Sequence, residues 1–182
     1  RRQRQMCIRD RRMVIGTLRE EDLLDNTIIC FTSDHGESLG DHGLIRKACR
    51  FYEGLVRVPL ILRWPNRIEP GRVCNDLVEL TDLAPTLLAA ADQPTPPWMQ
   101  GISLLDRHTS HKAVRTEYFD ATNGPDSSYA TMYRTRSHKL IVYHGHELGE
   151  LYLAQDQPGA SETHLRAALE IRQENGAPDS PE

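Results

Sequence analysis

Asp34 and His35 stand side by side at the end of an apolar run, and Lys47 follows on the same polar stretch. A carboxylate and an imidazole are both metal ligands. An ammonium on a flexible stem is a compact charge with three donors, suited to an oxygen of a sulfate or phosphate group. A cation and a lysine acting together would neutralise the oxygens of an anionic ester, and would stabilise the charge that builds as its bond to the leaving group breaks. Two ligands do not complete a shell, since calcium takes six to eight oxygens and an octahedral ion takes six. The chain has no second compact acidic cluster to supply the rest, so the remaining carboxylates are expected from a segment upstream. Each residue also has a plainer reading: Asp34 as a turn cap, His35 as a satisfied loop histidine, Lys47 as a solvated surface lysine.

Such a cluster needs a scaffold. Residues Gln5 to Glu20 have apolar positions at roughly helical spacing and predict a helix. Asp25-Asn26 is a turn signal, and Thr27 to Thr32 is a short apolar, β-branched run that reads as a strand buried on both faces, as in a parallel sheet. Cys30 within it reads as a small buried hydrophobe. Asp34 and His35 lie just past the strand's carboxyl end, where ligands bind in open α/β sheets. Adjacent strand residues face opposite ways, so both side chains reach one ion only if the backbone bends, and Gly36 makes a bend easy.

Ser33 to Arg50 is a long Gly-, Asp- and His-rich loop, of the length usually reserved for function. Phe51 to Val56 reads as a helical turn, and Val58 to Trp64 as a second buried strand. A helix capped by Thr81 or Asp82 runs to about Ala91, with Leu83, Leu87, Leu88 and Ala91 as its buried stripe and Pro85 in its first turn. From Val114 the period changes to alternation, in Val114–Phe119, Tyr129–Arg134, Lys139–Tyr143 and Glu150–Leu153. These predict a small antiparallel sheet. A last helix is expected over Ser161 to Gln173, followed by a polar tail.

The 182 residues carry a formal net charge of only −4, so no field of one sign argues for nucleic acid or an anionic membrane surface. No apolar run approaches the ~20 residues needed to cross a bilayer. Cys7, Cys30, Cys49 and Cys74 form no C-x-x-C pair and no zinc-ribbon spacing. The basic start, Arg1 to Arg12, lacks the apolar core of a secretory signal and reads as the solvated face of a helix, so the chain is expected to begin inside a longer gene product. Compartment and oligomeric state are left open.

Several segments carry a resemblance. T-S-D-H-G-E at Thr32 to Glu37, L-G-D-H-G-L at Leu39 to Leu44, Lys47, F-Y-E at Phe51 to Glu53 and V-R-V-P-L-I-L-R-W-P at Val56 to Pro65 follow in order. So do L-T-D-L-A-P-T-L-L at Leu80 to Leu88, G-I-S-L-L at Gly101 to Leu105, Y-R-T-R-S-H-K-L at Tyr133 to Leu140 and G-E-L-Y at Gly149 to Tyr152. Together they resemble the sulfatase family of the alkaline-phosphatase-like superfamily, over roughly Gly16 to Asp156. The resemblance implies an α/β fold: part of a mostly parallel sheet flanked by helices, with a small antiparallel C-terminal subdomain. It divides the chain into residues 1–105, the C-terminal part of a catalytic domain, residues 106–160, the small β subdomain, and residues 161–182, helix and tail.

By the same resemblance Asp34 and His35 hold a divalent metal, calcium first, with manganese, magnesium or zinc as alternatives, and Lys47 contacts the substrate's sulfate. The nucleophile would be a formylglycine made from the Cys or Ser of a C-x-P-x-R or S-x-P-x-R motif, acting on a small-molecule or saccharide sulfate ester. That motif does not occur here, and it is expected upstream, so the chain alone is expected to have no turnover. A phosphonate or phosphate ester hydrolase of the same superfamily, or a non-catalytic binding relic, are the alternatives. Around the site, His42 reads as a hydrogen-bond partner within the loop, Glu37 as structural, Arg57 and Arg63 as ion-pair partners, Asp82 as a helix N-cap, and His138, His144 and His146 as exposed strand histidines.

Overall fold

The structure, a computed structural model, describes residues 2–45, 47, 49–119, 129–144 and 149–153. The expected last helix, the tail and His146 lie outside these. The chain divides into two compact units.

The first unit comprises residues 1–33 and 58–74. Helix α1 spans Arg2–Glu20, with strands β1, Ile29–Thr32, and β2, Leu60–Arg63. The strands pair antiparallel, with Ile29 opposite Arg63 and Thr32 opposite Leu60. The parallel sheet expected from these two runs is therefore not seen, and all strand pairs among the described residues are antiparallel. A continuous apolar run encodes burial and β-propensity but not strand direction. Burial on both faces also fails here: Cys30 is exposed, and so is Ile61. A two-stranded ribbon offers little cover on its second face. Arg63 anchors the turn after α1, donating to the Leu24 carbonyl at 2.6 Å and to the Asp25 carboxylate at 2.8 Å, as its ion-pair reading requires. For Arg57 no ion pair is present among the described residues. Arg11 lies over the Phe31 ring at 5.0 Å, so the basic face of α1 also covers an aromatic.

The second unit comprises residues 34–57 and 75–182. Helix α2 is one short turn, Glu53–Val56, and α3 spans Leu83–Ala90 after a 3-10 turn at Leu80–Asp82. Strands β3, Val114–Phe119, β4, Tyr129–Arg134, β5, His138–Tyr143, and β6, Gly149–Leu153, form an antiparallel meander in sequence order. Alternation decides its faces. Ala130, Met132 and Ile141 point inward and close the core with Phe51, while Phe119, Tyr133, Leu140 and Val142 face out. Phe51 thus seats the exit of the Ser33–Arg50 loop on the sheet. The stripe expected on α3 is shifted: Pro85 and Thr86 are buried and Leu87 is exposed. Thr86 is inside because its hydroxyl has partners there, donating to the Asp82 carbonyl at 2.6 Å and accepting from the Leu104 N–H at 2.8 Å.

Candidate active site

The loop is shaped by backbone turns and one close approach. Leu39, Gly40, His42 and Gly43 all have positive φ, which a Gly-rich sequence tolerates and which lets the Leu44 N–H return to the Asp41 carbonyl at 3.0 Å. Gly36 is not among the positive-φ positions. Its need is space: it donates to the Leu55 carbonyl at 2.8 Å, and a Cβ there would collide with the Gly54 carbonyl. The bend expected at Gly36 is thus a docking of the loop onto α2. Glu37 accepts from the Ser38 N–H at 3.0 Å. His42 stacks on Tyr52 with ring centroids 3.9 Å apart, a ring contact rather than the expected hydrogen bond.

On this frame Asp34, His35 and Lys47 come together. Asp34 Oδ1 accepts its neighbour's N–H at 2.9 Å, and Oδ2 lies 3.3 Å from His35 Nε2. Lys47 Nζ lies 2.6 Å from the same Nε2. The other ring nitrogen, Nδ1, lies 2.7 Å from the Gly36 carbonyl oxygen. A carbonyl only accepts and an ammonium only donates. These partners therefore assign the ring proton to Nδ1 and a lone pair to Nε2. A backbone carbonyl on one nitrogen is the usual way a protein fixes a histidine to present the other to a metal. A carboxylate oxygen and an imidazole lone pair lie 3.3 Å apart, and this pair of donors suits a divalent cation. Among the described residues no group of three or more His, Cys, Asp or Glu side chains gathers to hold a metal. The Asp34 side chain is 83% exposed and that of His35 44%.

Two buried clusters escaped the reading of the sequence. Glu53, at the head of α2, pairs with Arg134 of β4, and with Lys139 of β5 at 2.7 Å. Lys139 also donates to the Phe51 carbonyl at 3.0 Å and is only 4% exposed. Burial alone would raise the Glu53 carboxyl, but the hydrogen bonds and charges of Arg134 and Lys139 outweigh it and hold it below the ordinary value. The available signal was Lys139 itself, a charge at an inward position of an alternating strand. The second cluster is Asp82, fully buried, which accepts from the Glu79 N–H at 2.8 Å, the Ile102 N–H at 2.9 Å and His111 Nε2 at 2.9 Å. Asp82 is thus no simple N-cap of α3. It ties the segment around Gly101 to the helix, where a Cβ on Gly101 would strike the Thr81 carbonyl. His138 and His144 are exposed, as expected; His144 stacks on Tyr129 with centroids 4.2 Å apart.

A family model described as N-sulphoglucosamine sulphohydrolase, C-terminal, matches residues 40–169. That span includes Lys47 and begins just after Asp34 and His35. An extracellular sulfatase SULF-1 homolog of Drosophila melanogaster is 43% identical over 109 residues, covering 59% of this chain and 10% of that protein. An arylsulfatase of Clostridium perfringens is 36% identical over 117 residues, covering 62% of this chain and 24% of that protein. The chain therefore spans a quarter or less of the length of these relatives. A structure solved in complex with its substrate, D-glucosamine-2-N,6-O-disulfate, superposes with a TM-score of 0.69 at 29% identity, covering 89% of this chain and 37% of that one.

Proposed function

Because the chain belongs to the sulfatase family, within the alkaline-phosphatase-like superfamily, we propose that it supplies the metal-holding and anion-binding part of a sulfate-ester hydrolase. The observation that carries this reading is the convergence of the Asp34 carboxylate, the His35 Nε2 lone pair and the Lys47 ammonium on one loop. Asp34 and His35 would hold a divalent cation. Calcium is the ion the family resemblance favours, and the imidazole nitrogen also suits manganese or zinc. A bound cation there supplies Lewis-acid charge that neutralises the oxygens of an anionic ester.

The chain's own residues do the rest. Gly36 fixes the His35 tautomer through its carbonyl, and so aims one lone pair. The docking of Gly36 on α2, with α2 held to the sheet by Glu53, fixes where that lone pair lies. Lys47 would give its ammonium to a non-bridging sulfate oxygen, neutralising part of the anion's charge and holding it in place for attack. The remaining metal ligands and the nucleophile would come from outside the described residues. A sulfated saccharide is the substrate class favoured, since the similar solved structure is in complex with its substrate D-glucosamine-2-N,6-O-disulfate.

The test is run on the complete enzyme, with its nucleophile-bearing region present. Asp34→Ala lowers kcat/KM by ~10³-fold and metal content with it, because a charged ligand is lost. Lys47→Ala lowers turnover ~10²-fold while the metal stays bound. An Asp34→Ala enzyme with full metal content and full rate would overturn the assignment. Faster turnover of phosphonate monoesters than of sulfate esters would move the reading to a phosphonate hydrolase.

A further inference from the structure

His35 Nε2 has a single lone pair, and two positive groups have a claim on it. Its other nitrogen is committed to the Gly36 carbonyl at 2.7 Å, so the ring has no second acceptor site to offer. Lys47 Nζ sits 2.6 Å from Nε2, a distance that only a direct hydrogen bond allows. A metal–nitrogen bond of ~2.0–2.1 Å would use the same orbital in the same direction. The two cannot be made together.

We propose that Lys47 and the divalent cation compete for the His35 Nε2 lone pair, so that loading the cation moves the Lys47 ammonium off the histidine and releases it toward the oxyanion of the ester. This rests on the reading of Asp34 and His35 as metal ligands. It adds an order of events: Lys47 becomes free to bind sulfate only once the cation is seated, so an unloaded site does not hold substrate through this residue. Lys47 is exposed on a loop and its stem has four rotatable carbons, so the departure requires no change of fold. The carboxylate of Asp34 lies 3.3 Å from Nε2, so an incoming cation meets a negative charge beside the lone pair it takes.

The experiment uses the complete enzyme, with its nucleophile-bearing region present, Mn2+ as the probe and two readouts. In the first, paramagnetic broadening of the His35 ring proton resonances is followed as manganese chloride is added to the wild type and to Lys47→Ala. The variant is expected to reach half-broadening at a concentration ~3- to 10-fold lower, the worth of a charge-assisted hydrogen bond at a half-exposed site. In the second, acetylation of Lys47 by acetic anhydride is read by mass spectrometry in the wild type. Its rate is expected to rise at least ~2-fold on saturation with Mn2+, and by a similar factor without Mn2+ in His35→Ala. A purely long-range charge effect would leave Lys47 on the histidine and its acetylation unchanged. Equal manganese responses in the two proteins, or a Lys47 acetylation rate indifferent to Mn2+, overturn the competition and leave the metal site standing. No broadening at His35 in either protein overturns the metal site itself, and the competition with it.

Discussion

Two charged clusters built on neighbouring motifs behave in opposite ways. Asp34, His35 and Lys47 meet in water, on a loop whose backbone is held by its own turns. Glu53, Arg134 and Lys139 meet under the sheet, with side chains 5–17% exposed. Water screens the first set, so its pairs add little to stability. The second set has lost most of its water, so its members depend on one another and removing one leaves the others uncompensated. The second cluster also fixes α2, on which Gly36 docks, and so places the first. The first is the site proposed for the cation and the sulfate; the second holds it in position.

The contrast gives a graded series of tests. Glu53→Ala should be the most damaging to the fold, by ~3–5 kcal/mol, because two cations are left buried without a counter-charge. Urea unfolding reads it as a lower midpoint at unchanged slope, and a loss under ~1 kcal/mol would mean the triad is wetter than its exposure suggests. Asp82→Ala comes next, at ~2–3 kcal/mol, since the N–H groups of Glu79 and Ile102 and the His111 ring lose a shared buried acceptor.

Acid gives a smaller, directional effect. The Glu53 carboxyl is held below its ordinary value of 4.5 in the folded chain. Its contribution is therefore fully present above the unfolded value and is lost as pH falls through the folded one. Thermal melts from pH 6 downward should show an acid-dependent loss that Glu53→Gln largely removes, at the expense of lower stability at neutral pH. The smallest effect belongs to the exposed cluster: Asp34→Ala should change unfolding free energy by no more than ~0.5 kcal/mol. A large destabilisation from Asp34→Ala would erase the distinction between the two clusters.

Much of this was readable from the chain, where the signal is local. Strands β3 and β4 begin and end at the residues their alternation marks, and β5 and β6 start one residue earlier than expected. Alternation is a property of each strand alone. The direction of β1 and β2 was not readable, because pairing depends on a partner distant in sequence. Asp82 shows the same limit: its type and place suit a cap, yet its ring partner is 29 residues on. Glu53 and Arg134 lie 81 residues apart, and nothing near either announces the other. For the loop, residue types and order made Asp34, His35 and Lys47 the candidates, and the structure brings the three side chains together. The tautomer of His35 and the contact of Lys47 with it depend on backbone placement, and only the structure supplies them.

The most direct measurement is an anomalous difference map from crystals of the complete enzyme, with its nucleophile-bearing region present, grown with manganese chloride. A peak within ~2.0–2.6 Å of both an Asp34 carboxylate oxygen and His35 Nε2, with the Lys47 amine withdrawn, is the predicted result. Lys47 still bonded to Nε2, with no peak beside Asp34, would contradict it.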